Sequence, residues 1–172
     1  MKKVVITGPE SSGKSSLAHF LSTHYSIPLV KEYAREHLNL HGPNYTAEDV
    51  EYMGVKQLTD IENCLADAVV CDTDVLTYCI WYEVAYGKRS EILERALKGF
   101  SPHCYLLLYP DLPWEPDPLR EHPNQRIALF ERYRDRLLDM KVPFREIRGV
   151  HRVDRCNKAL KNLREMGFEP IL

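Results

Sequence analysis

Gly8-Pro9-Glu10-Ser11-Ser12-Gly13-Lys14-Ser15 fits the pattern GxxxxGK[ST] at every fixed position. The run before it, Val4-Val5-Ile6-Thr7, is apolar and β-branched, as a buried strand should be. After it, Leu17, Ala18, Leu21 and Tyr25 fall at helical spacing. Strand, glycine loop and helix are the setting in which this pattern binds phosphate. Gly8 and Gly13 let the backbone turn where a Cβ would clash. The loop amides then point inward at a helix start, whose dipole favours anions, and make a nest for a β-phosphate. Lys14 can reach the β- and γ-phosphates as a movable point charge. The Ser15 hydroxyl is placed to ligate Mg²⁺. Gly8, Pro9, Glu10, Ser11, Ser12, Gly13, Lys14, Ser15 and Ser16 are therefore read as the cradle of a nucleoside triphosphate, ATP with Mg²⁺.

A chain of 172 residues is expected to form one domain, residues 1–172, with a substantial core. Its net charge of −2 points away from a broad nucleic-acid or membrane surface. The N-terminus is expected to run directly into a strand, and no signal peptide is expected. No apolar run reaches the roughly 20 residues of a membrane span. The five cysteines are odd in number and scattered, without CxxC or zinc spacing. They read as small buried residues of a reducing, cytoplasmic compartment. The seven histidines are read as structural or surface groups, and no zinc site is expected.

Further strands are expected over Ile27–Lys31, Ala68–Cys71, Cys104–Tyr109 and Val142–Ile147. Helices are expected between them. One begins at Glu32 and breaks at His41-Gly42-Pro43-Asn44. A second is capped by Thr46 with Asp49 and buries Val50, Met53, Gln57, Leu58, Ile61 and Leu65. A third runs from about Val75 to Tyr86, and Ser90 caps a short fourth. A later one turns Ile127, Phe130, Tyr133, Leu137 and Leu138 inward, and the last buries Val153, Cys156, Leu160 and Leu163. Between the fourth strand and the later helix lies Pro110-Asp111-Leu112-Pro113-Trp114-Glu115-Pro116-Asp117-Pro118-Leu119-Arg120. Four of the chain's eleven prolines fall in these eleven residues, which excludes a helix or central strand. A loop this long inside a compact domain is usually functional. Apolar strands alternating with helices predict an α/β protein: a parallel five-stranded sheet covered on both faces, in three α/β/α layers. Ligands then sit beyond the carboxyl ends of the strands.

The polar residues at those ends are the candidates. Asp72 closes the third strand, where a second magnesium-side carboxylate belongs. Glu32, at the end of the second strand, is the candidate general base, and Asp74 competes for that role. Tyr33 and Trp114 could sandwich a flat ring. Arg35 could contact the acceptor or pair with Glu32 or Asp72. Arg120 and Arg126 flank the junction of loop and helix, where arginines can neutralise a transferring phosphoryl group under a short lid, about residues 111–126. Arg132, Arg134 and Arg136 read as surface charge paired with Glu131 and Asp135.

GPESSGKS, then EYARE after strand two, DTD after strand three and YPDLPWEPDPLR beyond strand four resemble the ribosylnicotinamide kinase domain of NadR-type proteins, AAA-like P-loop nucleoside kinases. The likeness runs in order over nearly the whole chain. It implies a P-loop NTPase fold related to thymidylate and adenylate kinases. It also implies the transfer of phosphate from ATP to nicotinamide riboside, giving nicotinamide mononucleotide in NAD salvage. Gly8 to Ser16 would hold ATP and magnesium. Glu32, Tyr33, Arg35, Asp72 and Asp74 would line the riboside side, and Arg120 and Arg126 would belong to the lid. NadR proteins carry a nucleotidyltransferase domain before the kinase. This chain begins two residues before strand one, so it is expected to be a free-standing kinase or an excised domain.

Three other readings remain open. Another nucleoside could be the acceptor. A nucleoside monophosphate would need more cations than Arg35 at the end of strand two. A regulatory ATPase would act through a protein partner, but the NKxD motif of guanine-nucleotide switches is absent. Oligomeric state is not legible.

Overall fold

The computed structural model describes residues 1–117 and 124–169. The central strand, β1 (Lys2–Thr7), pairs in parallel with β3 (Ala68–Asp72) on one side and β4 (Cys104–Leu108) on the other. The outer positions are taken by β2 (Leu29–Val30) and β5 (Phe144–Ile147), giving the order β2-β3-β1-β4-β5, parallel throughout. Seven helices occur among the described residues: α1 (Lys14–Tyr25), α2 (Tyr33–His41), α3 (Ala47–Glu62), α4 (Val75–Tyr86), α5 (Glu91–Gly99), α6 (Arg126–Met140) and α7 (Arg152–Glu165).

Every residue of β3 and β4 is buried, because helices cover both faces of the sheet. Strand alternation assigns side chains to the two faces. Val4, Ile6, Val70, Leu106 and Leu108 pack in one layer with Leu17 and Leu21 of α1 and Ala159 and Leu163 of α7. Val5, Val69, Cys71, Tyr105 and Leu107 face the other layer, filled from α2 to α6 by residues such as Leu38, Met53, Leu76, Leu93 and Phe130. This is the expected three-layer α/β/α architecture around a parallel five-stranded sheet.

Element boundaries differ from expectation chiefly at the edges. The second strand keeps only Leu29 and Val30 in its ladder. Thr46 and Asp49 form a reciprocal capping box at the start of α3. Leu65 lies beyond the end of α3 and is fully exposed. In α6 the buried stripe is Leu129, Phe130, Tyr133, Arg136 and Leu137, with Ile127 and Leu138 exposed. In α7 it is Arg155, Cys156, Ala159 and Leu163, and Val153 is exposed. Both shifts have one cause: a buried arginine occupies a place on the inner face that an apolar-only count assigns elsewhere. Arg136 is therefore not the expected surface charge. It reaches Glu94 at 2.6 Å and Glu83 at 3.6 Å, tying α6 to α5 and α4.

Candidate active site

The loop after β1 is built on three residues of positive φ, Gly8, Ser11 and Gly13. Gly8 has φ +135°, and a Cβ there would lie 2.7 Å from the Leu108 carbonyl oxygen at the end of β4. Gly13, at φ +82°, is the N-cap of α1, whose first-turn amides need acceptors from outside the helix. Ser12 is buried and donates to the Pro9 carbonyl at 2.7 Å, closing the loop on itself. Lys14 Nζ donates to the same carbonyl at 2.9 Å. The Ser15 side of the loop opens to solvent, as a ligand-facing hydroxyl requires.

Asp72 comes to this loop from β3. It is buried and accepts a hydrogen bond from Ser15, and its Oδ1 has no protein partner among the described residues. Burial raises its carboxyl above the ordinary range, opposed by the Ser15 hydrogen bond and then by the Lys14 and Arg35 charges. A serine hydroxyl beside an acidic oxygen with spare acceptor capacity suits a hard divalent cation that keeps phosphate and water in its shell. Among the described residues, no three His, Cys, Asp or Glu side chains gather into an all-protein metal cage.

Asp74 goes the other way. Between the two aspartates, Thr73 holds φ +72°, an uncommon conformation for a β-branched residue, and its amide donates to Ile6 O at 3.0 Å. The chain turns there, and Asp74 enters the core under the sheet. It is wholly buried and accepts from the Tyr105 hydroxyl at 2.6 Å. Burial pushes its carboxyl up to about 7, against the Tyr105 hydrogen bond. Neither aspartate lines the cleft itself, which corrects the expectation that Asp72 and Asp74 contact the acceptor and that Asp74 competes as base; Asp72 reaches the site only through Ser15.

The cleft itself, about 500 Å³, runs along the carboxyl ends of the strands. The phosphate loop from Gly8 to Ser16 forms its floor, with Glu32 and Arg35 on one wall. Glu32 is half-buried at the N-cap of α2, and its side chain makes no cap to its own helix. Burial raises its carboxyl; Lys14 opposes this, Asp72 adds to it, and Arg35 opposes it. Beyond Glu32 the cleft becomes apolar: Ala34 and Leu38 from α2, Pro43 and Tyr45 from the next loop, Ile80 and Trp81 from α4, and Leu129 and Tyr133 from α6. Tyr45 and Trp81 meet edge to face at 4.8 Å. At the other end the cleft reaches Arg152, Arg155 and Cys156 of α7. Arg155 is fixed there by Asp111 at 2.7 Å and by the carbonyl of Tyr109 at 3.2 Å.

The expected ring sandwich of Tyr33 and Trp114 is replaced by this pocket. The Tyr33 ring packs on Tyr52 and His37, away from the cleft, with Lys56 over its face. The Trp114 ring lies 5.7 Å from the Arg126 guanidinium, and neither residue lines the cleft. Arg126 instead anchors loop to loop, donating to Leu112 O at 2.9 Å and Ser11 O at 3.3 Å. The Glu115 amide donates to Ser11 Oγ at 2.9 Å. Arg35 bridges to Asp117 at 2.9 Å, linking α2 to the same proline-rich segment. Arg120 lies outside the described residues. His37 and His41, one helical turn apart on α2, face each other at a tilt with ring centroids 4.6 Å apart beside Asp49, an i, i+4 pair absent from the expected site. Tyr45, Trp81 and Tyr133 were also passed over as site residues. The apolar character of α4 around most of its circumference gives no stripe to orient Trp81 by.

Solved structures with this fold include a NadR protein in complex with NR, at TM-score 0.77 and 18% identity, matching 99% of this chain and 53% of that one. A NadR protein in complex with NAD and AMP-PNP matches at TM-score 0.77 and 17% identity, over 99% of this chain and 51% of that one. Deoxyadenosine kinase from M. mycoides, with the products dCMP and dCDP, matches at TM-score 0.69 and 13% identity, over 95% of this chain and 99% of that one. The chain thus spans about half the length of the NadR chains it matches. A family model described as an AAA domain matches residues 3–155. That match takes in the phosphate loop, the five strands except Lys2 of β1, and every cleft-lining residue except Cys156, and the chain belongs to this AAA-domain family.

Proposed function

We propose that the protein is an ATP-dependent kinase that phosphorylates the 5′-hydroxyl of a nucleoside, nicotinamide riboside, to give nicotinamide mononucleotide. The observation that carries this reading is the composition of one cleft: a phosphate loop, a carboxylate beside it, and an aromatic pocket beyond the carboxylate. Lys14 and the loop amides hold the β- and γ-phosphates. Ser15 and, behind it, Asp72 would hold Mg²⁺, whose charge would neutralise the phosphates. Glu32 accepts the proton as the acceptor oxygen bonds to the γ-phosphorus and the bridging bond to the β-phosphate breaks, releasing ADP. Residues 111–126 act as the lid, with Arg120 and Arg126 as its cations.

Nicotinamide riboside carries a flat cationic ring, which suits the π-faces of Tyr45 and Trp81 better than a neutral base does. The likeness to a NadR protein in complex with NR supports the same acceptor, and the AMP-PNP complex supports ATP as donor. A monophosphate acceptor would need spare cations at the pocket. Among the described residues lining that end, Arg35 is the cation, and it already faces Asp117. The test is ADP release from ATP·Mg²⁺ with nicotinamide riboside, beside a panel of ribo- and deoxyribonucleosides. Strong stimulation by nicotinamide riboside, with the mononucleotide as product, is expected. Stimulation by another nucleoside alone overturns the acceptor and leaves the kinase. Hydrolysis that no acceptor stimulates points to a regulatory ATPase.

A further inference from the structure

We propose that Gln57 and Tyr78 are positioning residues that hold Glu32 toward the acceptor hydroxyl. The inference rests on the kinase reading above and concerns how its base is kept in place. A helix that follows a two-residue strand after only Lys31 and Glu32 has first-turn amides to satisfy, and an N-cap side chain normally does this. Glu32 is the N-cap of α2 and its side chain does not cap. Two buried groups from other helices do so instead. Gln57 of α3, with no exposed surface, accepts from the Tyr33 amide at 2.8 Å through Oε1. Its Nε2 donates to the Lys31 carbonyl at 3.2 Å. The Tyr78 hydroxyl, also fully buried, accepts from the Ala34 amide at 3.1 Å and donates to Gln57 Oε1 at 3.4 Å.

One carboxamide therefore grips the peptide groups on both sides of Glu32. Its orientation is unambiguous: Tyr33 N–H can only donate and Lys31 C=O can only accept, so the flipped amide would lose both bonds. With its backbone fixed from behind and its side chain excused from capping, Glu32 is free to face the cleft. The charges it feels are those of Lys14 and Glu10 from the phosphate loop, Asp72 from β3 and Arg35 from its own helix, and the phenols of Tyr78 on α4 and Tyr133 on α6 lie within its electrostatic reach. A base held in this way loses effectiveness when its support is cut, because misplacement by about 1 Å can cost roughly a hundredfold in rate.

The experiment compares Gln57→Met, Tyr78→Phe and Glu32→Gln, singly and with each support variant placed in the Glu32→Gln background, using nicotinamide riboside as acceptor. Gln57→Met should lower kcat about tenfold to a hundredfold, and Tyr78→Phe less. The KM for ATP and the calorimetric affinity for AMP-PNP should stay unchanged. In the Glu32→Gln background neither support variant should lower kcat further, since each acts through Glu32. A loss that persists undiminished in that background, or that appears in AMP-PNP affinity, overturns the proposal and leaves the kinase reading standing. Wild-type protein without acceptor-dependent turnover overturns both. If Gln57→Met does not fold, Tyr78→Phe alone decides by the same criterion.

Discussion

Asp72 and Asp74 stand two residues apart with the same chemistry, and the structure gives them opposite tasks. Asp72 meets Ser15 at the phosphate loop, while Asp74 meets Tyr105 in the core. The sequence offered both as site carboxylates, because nothing in D-T-D reveals that Thr73 adopts a left-handed turn between them. The positions of Lys14, Ser15 and Glu32 along the cleft, and of Asp72 beside Ser15, were legible because a strand end and the turn that follows it fix where the chain goes next. Asp74 makes a prediction about stability. Its carboxyl is raised from the ordinary 3.8 to about 7, so the folded state holds a proton that the unfolded chain releases. The stability it contributes is complete below about pH 4 and declines as pH rises through about 7, by roughly 1.4 kcal/mol per pH unit at the steepest. Asp74→Asn cannot release that proton. Urea unfolding at pH 5 and pH 7.5 should therefore show the variant gaining on wild type as pH rises, by a few kcal/mol in all; a pH-independent difference refutes the assignment. At the phosphate loop, charge stabilisation outweighs proton removal in phosphoryl transfer. Lys14→Ala should lower kcat/KM by roughly 10³ or more, and Glu32→Gln by about 10². Initial rates with saturating ATP would check the order.

At the scale of elements, strands were the most legible because their apolar runs are continuous and turn residues bound them. Amphipathic helices were read with errors of one helical position. In α6 and α7 the inner face holds Arg136 and Arg155, and burial of a charge is decided by partners distant in sequence, Glu94 and Asp111. The capping box of α3 was legible, since it is a local pattern; its third-position Asp does the work usually given to Glu or Gln. Thr46→Ala should cost about 1 kcal/mol. A lower urea midpoint with unchanged m-value would show it, with kcat kept if Gln57 stays in place at the far end of the helix. Where an element meets the site, the tolerance disappears. Gly8→Ala adds a Cβ at 2.7 Å from a main-chain oxygen of β4, at a φ that alanine rarely adopts. Strand β4 is held by β1 on one side and β5 on the other and cannot yield. The variant should lose calorimetric AMP-PNP binding and melt at lower temperature, consistent with a strain of about 1–3 kcal/mol.

Across the whole molecule, the proline-rich segment touches both halves of the cleft. Glu115 and Arg126 tie it to Ser11 of the phosphate loop, and Asp117 ties it to Arg35 on the acceptor wall. Arg35 is nearly half exposed, so its ion pair contributes little to stability by itself. Its importance lies in what it connects: a ligand that orders the segment from one side lowers the cost of ordering it for a ligand on the other. AMP-PNP·Mg²⁺ should therefore tighten nicotinamide riboside binding, and by linkage the riboside should tighten AMP-PNP by the same factor, about five- to a hundredfold for couplings of this kind. Asp117→Asn removes the charge that links α2 to the segment without touching the phosphate loop. It should leave the affinity for AMP-PNP alone unchanged and reduce the mutual enhancement. Calorimetric titration of each ligand with and without the other measures both quantities in wild type and variant. Enhancement that survives intact in Asp117→Asn would mean that donor and acceptor communicate directly through Lys14 on the cleft floor and Glu32 on its wall, with the segment as a cover that takes no part in the coupling.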